Sequence, residues 1–437
     1  MQVNKPITFY LPNLVNELNY CLEQNPPKFN YETVNFHFIL FSIIDKQTHF
    51  KKYEFVPINK QELTQVIVSD VAKYIKYLEV NEFIISDKFY QVGIKTQWYK
   101  INSLYKGAFK IEVPINSNLY KKIKQARIKN NSNQNKLSPH LYSMYEYFKK
   151  VKFDFVNAEN WIYKNVSNEK QVYYVNAINQ LNDVNFRRFK RNNTNNRLDT
   201  NITNLSKNLR PFLQGDLTEI DLSNSQPFLL SVLLFYVIYN NKDVKNPLCW
   251  YFDIKKMAET FDTIKLQSIP IIRKDEANSQ TYELLNFIEA TKSGLFYDNF
   301  IKEYSKRNLT ITRTEVKDIM FKVLFSKNVI TNRKEGQNIP YKKEKEIFKK
   351  VYPHVYRAIE ILKQNDNTKL PIYLQKIESF IFIDCIAKEL VEAGIIPLTV
   401  HDSVIIESQH TVRAIEIMDK IFTEKIGIIP TFKISKL

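Results

Sequence analysis

Two short apolar runs that each arrive at an aspartate restrict this chain more than any other feature. Residues 216 to 226 read DLTEIDLSNSQ and residues 398 to 407 read LTVHDSVIIE. In the first, a buried strand ends in polar residues, Pro227 stands at a helix start, and the apolar run FLLSVLLFYVIY follows. That order puts Asp221 where a strand emerges from a sheet. In the second, Asp402 lies between two β-rich runs, at the tip of a hairpin. Carboxylates delivered from neighbouring strand ends can share a pair of divalent ions about 3.5 to 4 Å apart, the arrangement used for in-line phosphoryl or nucleotidyl transfer.

Between them lies RTEVKDIMFKVLF, in which Arg313, Lys317 and Phe321 recur every four residues and so share one slowly drifting helix face. Two cations and a ring on one face suit a nucleoside triphosphate, with charge against the phosphates and the ring against the base. That spacing arises easily by chance; its place between the two acidic strands gives it weight. The fold class expected is α+β.

Composition bears on the partner. In 437 residues, 63 Lys and Arg against 46 Asp and Glu leave a net charge of +17, a surface able to hold a polyanion such as nucleic acid. An AT-rich genome would supply the same Lys and Asn surplus without any function. Hydrophobic content of 44% argues for a folded chain. Cys21, Cys249 and Cys385 lie too far apart for a CxxC-type metal knuckle, and their odd number speaks against a disulfide framework, which points to a reducing compartment. The N-terminus has no basic start followed by an apolar stretch, and no run approaches 18 apolar residues, so a cytoplasmic protein with no membrane partner is expected.

The chain divides by pattern into residues 1–125, 126–195 and 196–437. In the first, Ser69 is placed to cap a helix with an apolar face of Val71, Ile75 and Leu78. Short β-like runs follow at Phe83 to Ile85 and around Val92, and an alternating stretch from Ile94 to Ile101 carries Lys95, Trp98 and Lys100. This stretch resembles the winged helices of plasmid replication initiators, which implies that Lys95 and Lys100 contact DNA; a small α+β domain that binds nothing would read alike. The polar stretch 121 to 136 is the expected linker. In FRRFKRNN, Arg187, Arg188, Lys190 and Arg191 alternate with Phe186 and Phe189, a candidate surface for gripping a phosphate backbone.

From about residue 196 onward the sequence resembles the family A DNA polymerases and their relatives the single-subunit phage RNA polymerases. The first acidic motif of that family is matched by Asp221-Leu222-Ser223, and its fingers helix by Arg313, Lys317, Phe321 and, approximately, Phe325. The second acidic motif is matched by His401-Asp402-Ser403, nearer the RNA enzymes than the DNA enzymes. An Arg-Leu followed seven residues on by Asn-Leu is matched by Arg197-Leu198 and Asn204-Leu205, and Gln375 is similar to a glutamine that contacts the primer end. The resemblance implies a palm with helical fingers, with residues 138 to 195 as a reduced thumb.

It also implies roles. Asp221 and Asp402 would hold two Mg²⁺ ions, or Mn²⁺; Arg313 and Lys317 would bind the triphosphate; Phe321 would stack by the new base pair. Arg197, Asn204, Gln375 and His401 would grip primer and template. Two departures concern the sugar: Gln226 stands where the DNA enzymes have a Glu that blocks the ribose 2′-hydroxyl, and Phe325 lacks the hydroxyl of the fingers Tyr. Lys322 and Ser326 replace glycines, which would make the fingers helix close less tightly. The leading expectation is a DNA-directed DNA polymerase of a phage, plasmid or other mobile element, with DNA, nucleoside triphosphates and replication proteins as partners. A primase-like or RNA-synthesising polymerase is one alternative, and a non-catalytic replication initiator that binds DNA is another.

Overall fold

The computed structural model describes residues 8–49, 54–67, 70–88, 96–105, 110–115, 117–131, 137–239, 277–306, 310–328, 341–364 and 366–437. The fold is α+β, mostly helical, with small antiparallel sheets. The chain forms two compact units, one of residues 1–190 and 199–215 with the last residue, the other of residues 191–198 and 216–436. Among the described residues no helix is long and apolar enough to cross a membrane.

In the first unit β1 (Thr8–Pro12) pairs antiparallel with a later strand, and β2 (Val56–Pro57) and β3 (Ile84–Ser86) flank β4 (Trp98–Ile101) in a three-stranded sheet; β5 (Lys110–Pro114) is the partner of β1. Aromatic side chains fill its core, with Phe9 stacked on Phe41 at 4.2 Å. The helix Val71–Val80 buries Val71, Tyr74, Ile75 and Leu78, one stripe of a 3.6-residue period. Asp70 is its N-cap, accepting from Ala72 N at 3.1 Å. The expected cap, Ser69, lies outside the described residues, as do Val92 and Lys95. The expected linker is for the most part a helix, Ser117–Asn131, which turns Leu119, Ile123 and Ala126 into the core. Its polar letters conceal an apolar stripe too sparse to register in composition.

Arg187 also differs from expectation. It is buried, and its guanidinium donates to the carbonyls of Leu181, Phe148, Lys149 and Val151 at 2.6 to 3.0 Å. These carbonyls close the helices Pro139–Lys150 and Asn168–Asn182, whose last turns lack intrahelical donors. Its charge is spent on the fold and does not face a phosphate.

The short strands β6 (Phe189–Arg191) and β7 (Leu198–Thr200) bracket loop 191–198, which packs with the second unit. That unit holds β8 (Leu217–Leu222), β9 (Leu398–Val400), β10 (Ser403–Glu407) and β11 (Phe432–Lys436) in one antiparallel sheet of order β11-β8-β10-β9. The helix Ser225–Tyr239 enters through Asn224, whose φ of +54° is a left-handed value that Asn tolerates. Its residues 227–234 are buried throughout, because the run is apolar on every side. Gly294, at φ +75°, passes so close that a Cβ there would meet Ser223 Cβ at 3.3 Å.

Candidate active site

Asp221 is the penultimate residue of β8, and β10 pairs with β8 so that Ser403 stands opposite Asp221. His401 and Asp402 form the turn between β9 and β10, with His401 at φ +54°. The Leu222 N–H donates to the Asp402 carbonyl at 3.0 Å, which pins the turn to the strand that carries Asp221. The two aspartates therefore leave adjacent strands one register position apart, where backbones run about 4.8 Å from each other.

Among the described residues no group of three or more acidic, His or Cys side chains converges as a ready-made metal cage. Two carboxylates at an open sheet end are nonetheless the donor set that suits Mg²⁺, which keeps water and takes its other oxygens from substrate phosphates. Ser403 is buried and its hydroxyl donates to Glu219 at 2.8 Å, so the residue that likened this turn to the RNA enzymes serves the sheet.

The helix Arg313–Phe325 starts from a capping box of Thr312 and Glu315. Val316, Ile319, Met320, Val323 and Leu324 are buried, leaving Arg313, Lys317 and Phe321 on the exposed face. Arg313 and Lys317 stand over one ring, that of Tyr297, at 5.4 and 5.5 Å from its centre. Arg313 also pairs with Asp298 at 2.6 Å, a half-exposed contact that an incoming anion would displace at little cost. Burial pushes the Tyr297 hydroxyl up to about 12; Arg313 opposes the shift and Asp402 adds to it. Tyr297 is thus within electrostatic reach of both the strand-end aspartate and the cationic helix. Phe321 is 42% exposed and stacks on Phe325 at 4.4 Å.

Buried lysines hold the far end of this helix. Lys363 donates to the carbonyls of Val323 and Ser326 at 2.6 and 2.8 Å, and Lys345 donates to that of Lys327. Burial first, then the neighbouring Lys345, lower the Lys363 ammonium to about 8.

On the other flank, loop 191–198 lies along one helix. Gln375, Glu378 and Ser379 share a face of Lys369–Ser379 and engage Asn195 and Arg197, while Asp384 pairs with Arg191 at 2.7 Å. Gln375, inside the helix, accepts from Asn195 at 2.9 Å. Arg197 grips Glu378 with two bonds, Nε to Oε1 at 2.8 Å and Nη2 to Oε2 at 2.6 Å. Glu378 is 1% exposed, and its carboxyl is pushed up to about 7 by burial, with Arg197 opposing and Asp402 reinforcing. Gln226 Nε2 donates to Glu378 Oε2 at 3.3 Å. Nothing in the sequence motifs pointed to Glu378, although an acid one helical turn after Gln375 and directly ahead of the run Ser379-Phe380-Ile381-Phe382-Ile383 is a visible oddity.

The structure thus assembles Asp221, Ser223, Gln226, Arg197, Gln375, His401, Asp402, Arg313, Lys317, Phe321, Phe325 and Arg191 in the second unit. Arg187, Arg188, Lys100 and Asn204 belong to the first. There Asn204 donates to Asp199 at 2.8 Å, and Arg188, Lys190, Asp199 and Asn204 line a cleft of about 560 Å³. Lys100 pairs with Glu54 and lies over the Phe55 ring at 4.7 Å.

No protein-family model matches the chain, and no curated protein does. Among solved structures, the POL domain of Pol1 from M. smegmatis, in complex with DNA primer-template and dNTP, aligns with a TM-score of 0.25 at 12% identity, over 65% of this chain and 56% of that one. The chain therefore spans little more than half the length of that domain, and an overlap at this level carries no weight for fold or function.

Proposed function

We propose that the second unit is a template-directed nucleotidyltransferase of the family A polymerase type, a DNA-directed DNA polymerase with palm and fingers in which Asp221 and Asp402 hold two Mg²⁺ ions. One observation carries the reading: the two aspartates stand at the ends of adjacent strands of one sheet, and Arg313 and Lys317 stand together over the Tyr297 ring on an exposed helix face of the same unit. In the reaction a primer 3′-oxygen attacks the α-phosphorus of a nucleoside triphosphate, a new P–O bond forms, and pyrophosphate leaves. Bound divalent ions would supply acidity for the hydroxyl and neutralise the triphosphate.

The chain's own groups do the rest. Arg313 exchanges Asp298 for phosphate oxygens, and Lys317 adds a second charge as the leaving group departs. Phe321 presents a ring to the base. Arg197, fixed by Glu378, and Gln375 face the primer end. In the first unit, the sheet of β2 to β4 with the helix Val71–Val80 serves as a winged-helix-like element on DNA, with Lys100 and Arg188 as phosphate contacts.

The test is incubation of purified protein with Mg²⁺ and labelled nucleotides, with and without a primed template, resolved by product length and sugar type. Template-dependent extension is expected. A protein that binds duplex yet incorporates nothing would make it a non-catalytic initiator.

A further inference from the structure

The last strand of the second unit brings a cation beside the first aspartate. β11 pairs with β8 so that Lys433 stands opposite Asp221, while Ser403 stands opposite it on the other side. Residues directly opposite in an antiparallel pair carry their side chains on one face, with Cβ atoms about 4.5–5.5 Å apart. Of these two neighbours only Lys433 is charged, and Ser403 is buried with its hydroxyl given to Glu219. Backbone bonds fix the register without help from the lysine. Ser223 N donates to the Thr431 carbonyl at 3.0 Å, and Thr431 N and Oγ1 both donate to the Lys292 carbonyl, at 2.9 and 3.0 Å. A slip of one residue, which would turn Lys433 to the other face, is thereby excluded. Lys433 itself is exposed and makes no ion pair among the described residues, whereas Lys436 on the same strand pairs with Asp216 at 3.0 Å. The anchor at Lys292 also opens the turn through Gly294, which touches Ser223 and Thr431 and leads into the helix Phe296–Ser305, the carrier of the Tyr297 ring beneath Arg313 and Lys317.

We infer that Lys433 couples the binding of divalent ion and triphosphate at the first aspartate. The inference rests on the nucleotidyltransferase reading. Without nucleotide the ammonium opposes a divalent ion at Asp221, because like charges on neighbouring strands repel. When a triphosphate arrives, its oxygens take the ammonium as a further cation, and the opposition is relieved. The site therefore holds little free metal and fills with metal and nucleotide together.

Two affinities are measured on the full chain for wild type, Lys433→Met and Lys433→Arg: that of Mn²⁺ alone by electron paramagnetic resonance, and that of a nucleoside triphosphate with Mg²⁺ by isothermal titration calorimetry. Lys433 is exposed on an edge strand, so both substitutions spare the core. Lys433→Met should bind Mn²⁺ about fivefold more tightly, the scale of an exposed charge contact. It should bind the triphosphate about tenfold more weakly, having lost a charge-assisted hydrogen bond. Lys433→Arg keeps the charge and should stay within about twofold of wild type in both. The opposite signs are decisive, because a disturbed strand would weaken both ligands together. Mn²⁺ affinity unchanged or lowered in Lys433→Met, triphosphate affinity unchanged, or Lys433→Arg behaving as Lys433→Met overturns the inference; the polymerase reading stands if Asp221→Ala still abolishes Mn²⁺ binding. A wild type that takes up neither Mn²⁺ nor triphosphate overturns the polymerase reading, and this inference with it.

Discussion

Two parts of the second unit are built in opposite ways. Around the strand ends the polar groups are buried and interlocked: Asp402 pinned through Leu222, Glu378 forked by Arg197, Gln226 held by Glu378. Along Arg313–Phe325 they are exposed, and their contacts are a half-exposed ion pair and a shared ring. The buried part resembles a preorganised reaction centre, where reorganisation during the reaction would be costly. The exposed part resembles a surface that exchanges one partner for another. Damage to the first should therefore be large and hard to compensate, while damage to the second should be graded and sensitive to salt.

The largest effect belongs to the strand ends. Asp221→Ala or Asp402→Ala should lower nucleotide incorporation by about ten-thousandfold with duplex affinity nearly intact. If binding falls equally, the aspartates are structural and the contrast between the two regions dissolves.

Next comes the fork. Arg197→Ala leaves Glu378 buried without its cation and should cost about 3–5 kcal/mol of stability, read as a shift in the urea midpoint. A cost near that of a surface substitution would mean that Glu378 is solvated and the interlocking is illusory.

Lys363 sharpens the comparison at the far end of the cationic helix. Its folded pKa, about 8, lies below the ordinary lysine value of 10.5, so the unfolded chain binds the extra proton between those limits. Stability of wild type relative to Lys363→Met should accordingly rise as pH climbs from about 8 to 10.5, by up to about 3 kcal/mol, and stay flat below that window. A flat difference across the whole range would show the ammonium to be hydrated.

The smallest effect falls on the exposed face. Lys317→Ala should reduce kcat/KM for the nucleotide by about ten- to a hundredfold, with the loss shrinking as salt is raised.

Much of the second unit was legible in the sequence because its signals are local. A strand, a polar turn and an all-apolar helix locate Asp221, a hairpin tip locates Asp402, and a four-residue repeat gives the exposed face of Arg313, Lys317 and Phe321. What stayed hidden depends on partners far along the chain. Glu378 reads as an ordinary helical acid until Arg197, 181 residues earlier, is seen to grip it. Arg187 reads as a surface cation until helix ends delivered by folding claim all its donors. The helix Ser117–Asn131 reads as a linker because three small apolar contacts are outvoted by Lys and Asn.

The central claim, that Asp221 and Asp402 clasp a shared cation pair, is tested most directly by titrating Mn²⁺ into the protein with a nucleoside triphosphate present and counting bound ions by electron paramagnetic resonance. Two ions per chain are expected for wild type, with at least one lost in each of Asp221→Ala and Asp402→Ala. An ion count unchanged by either substitution would contradict it.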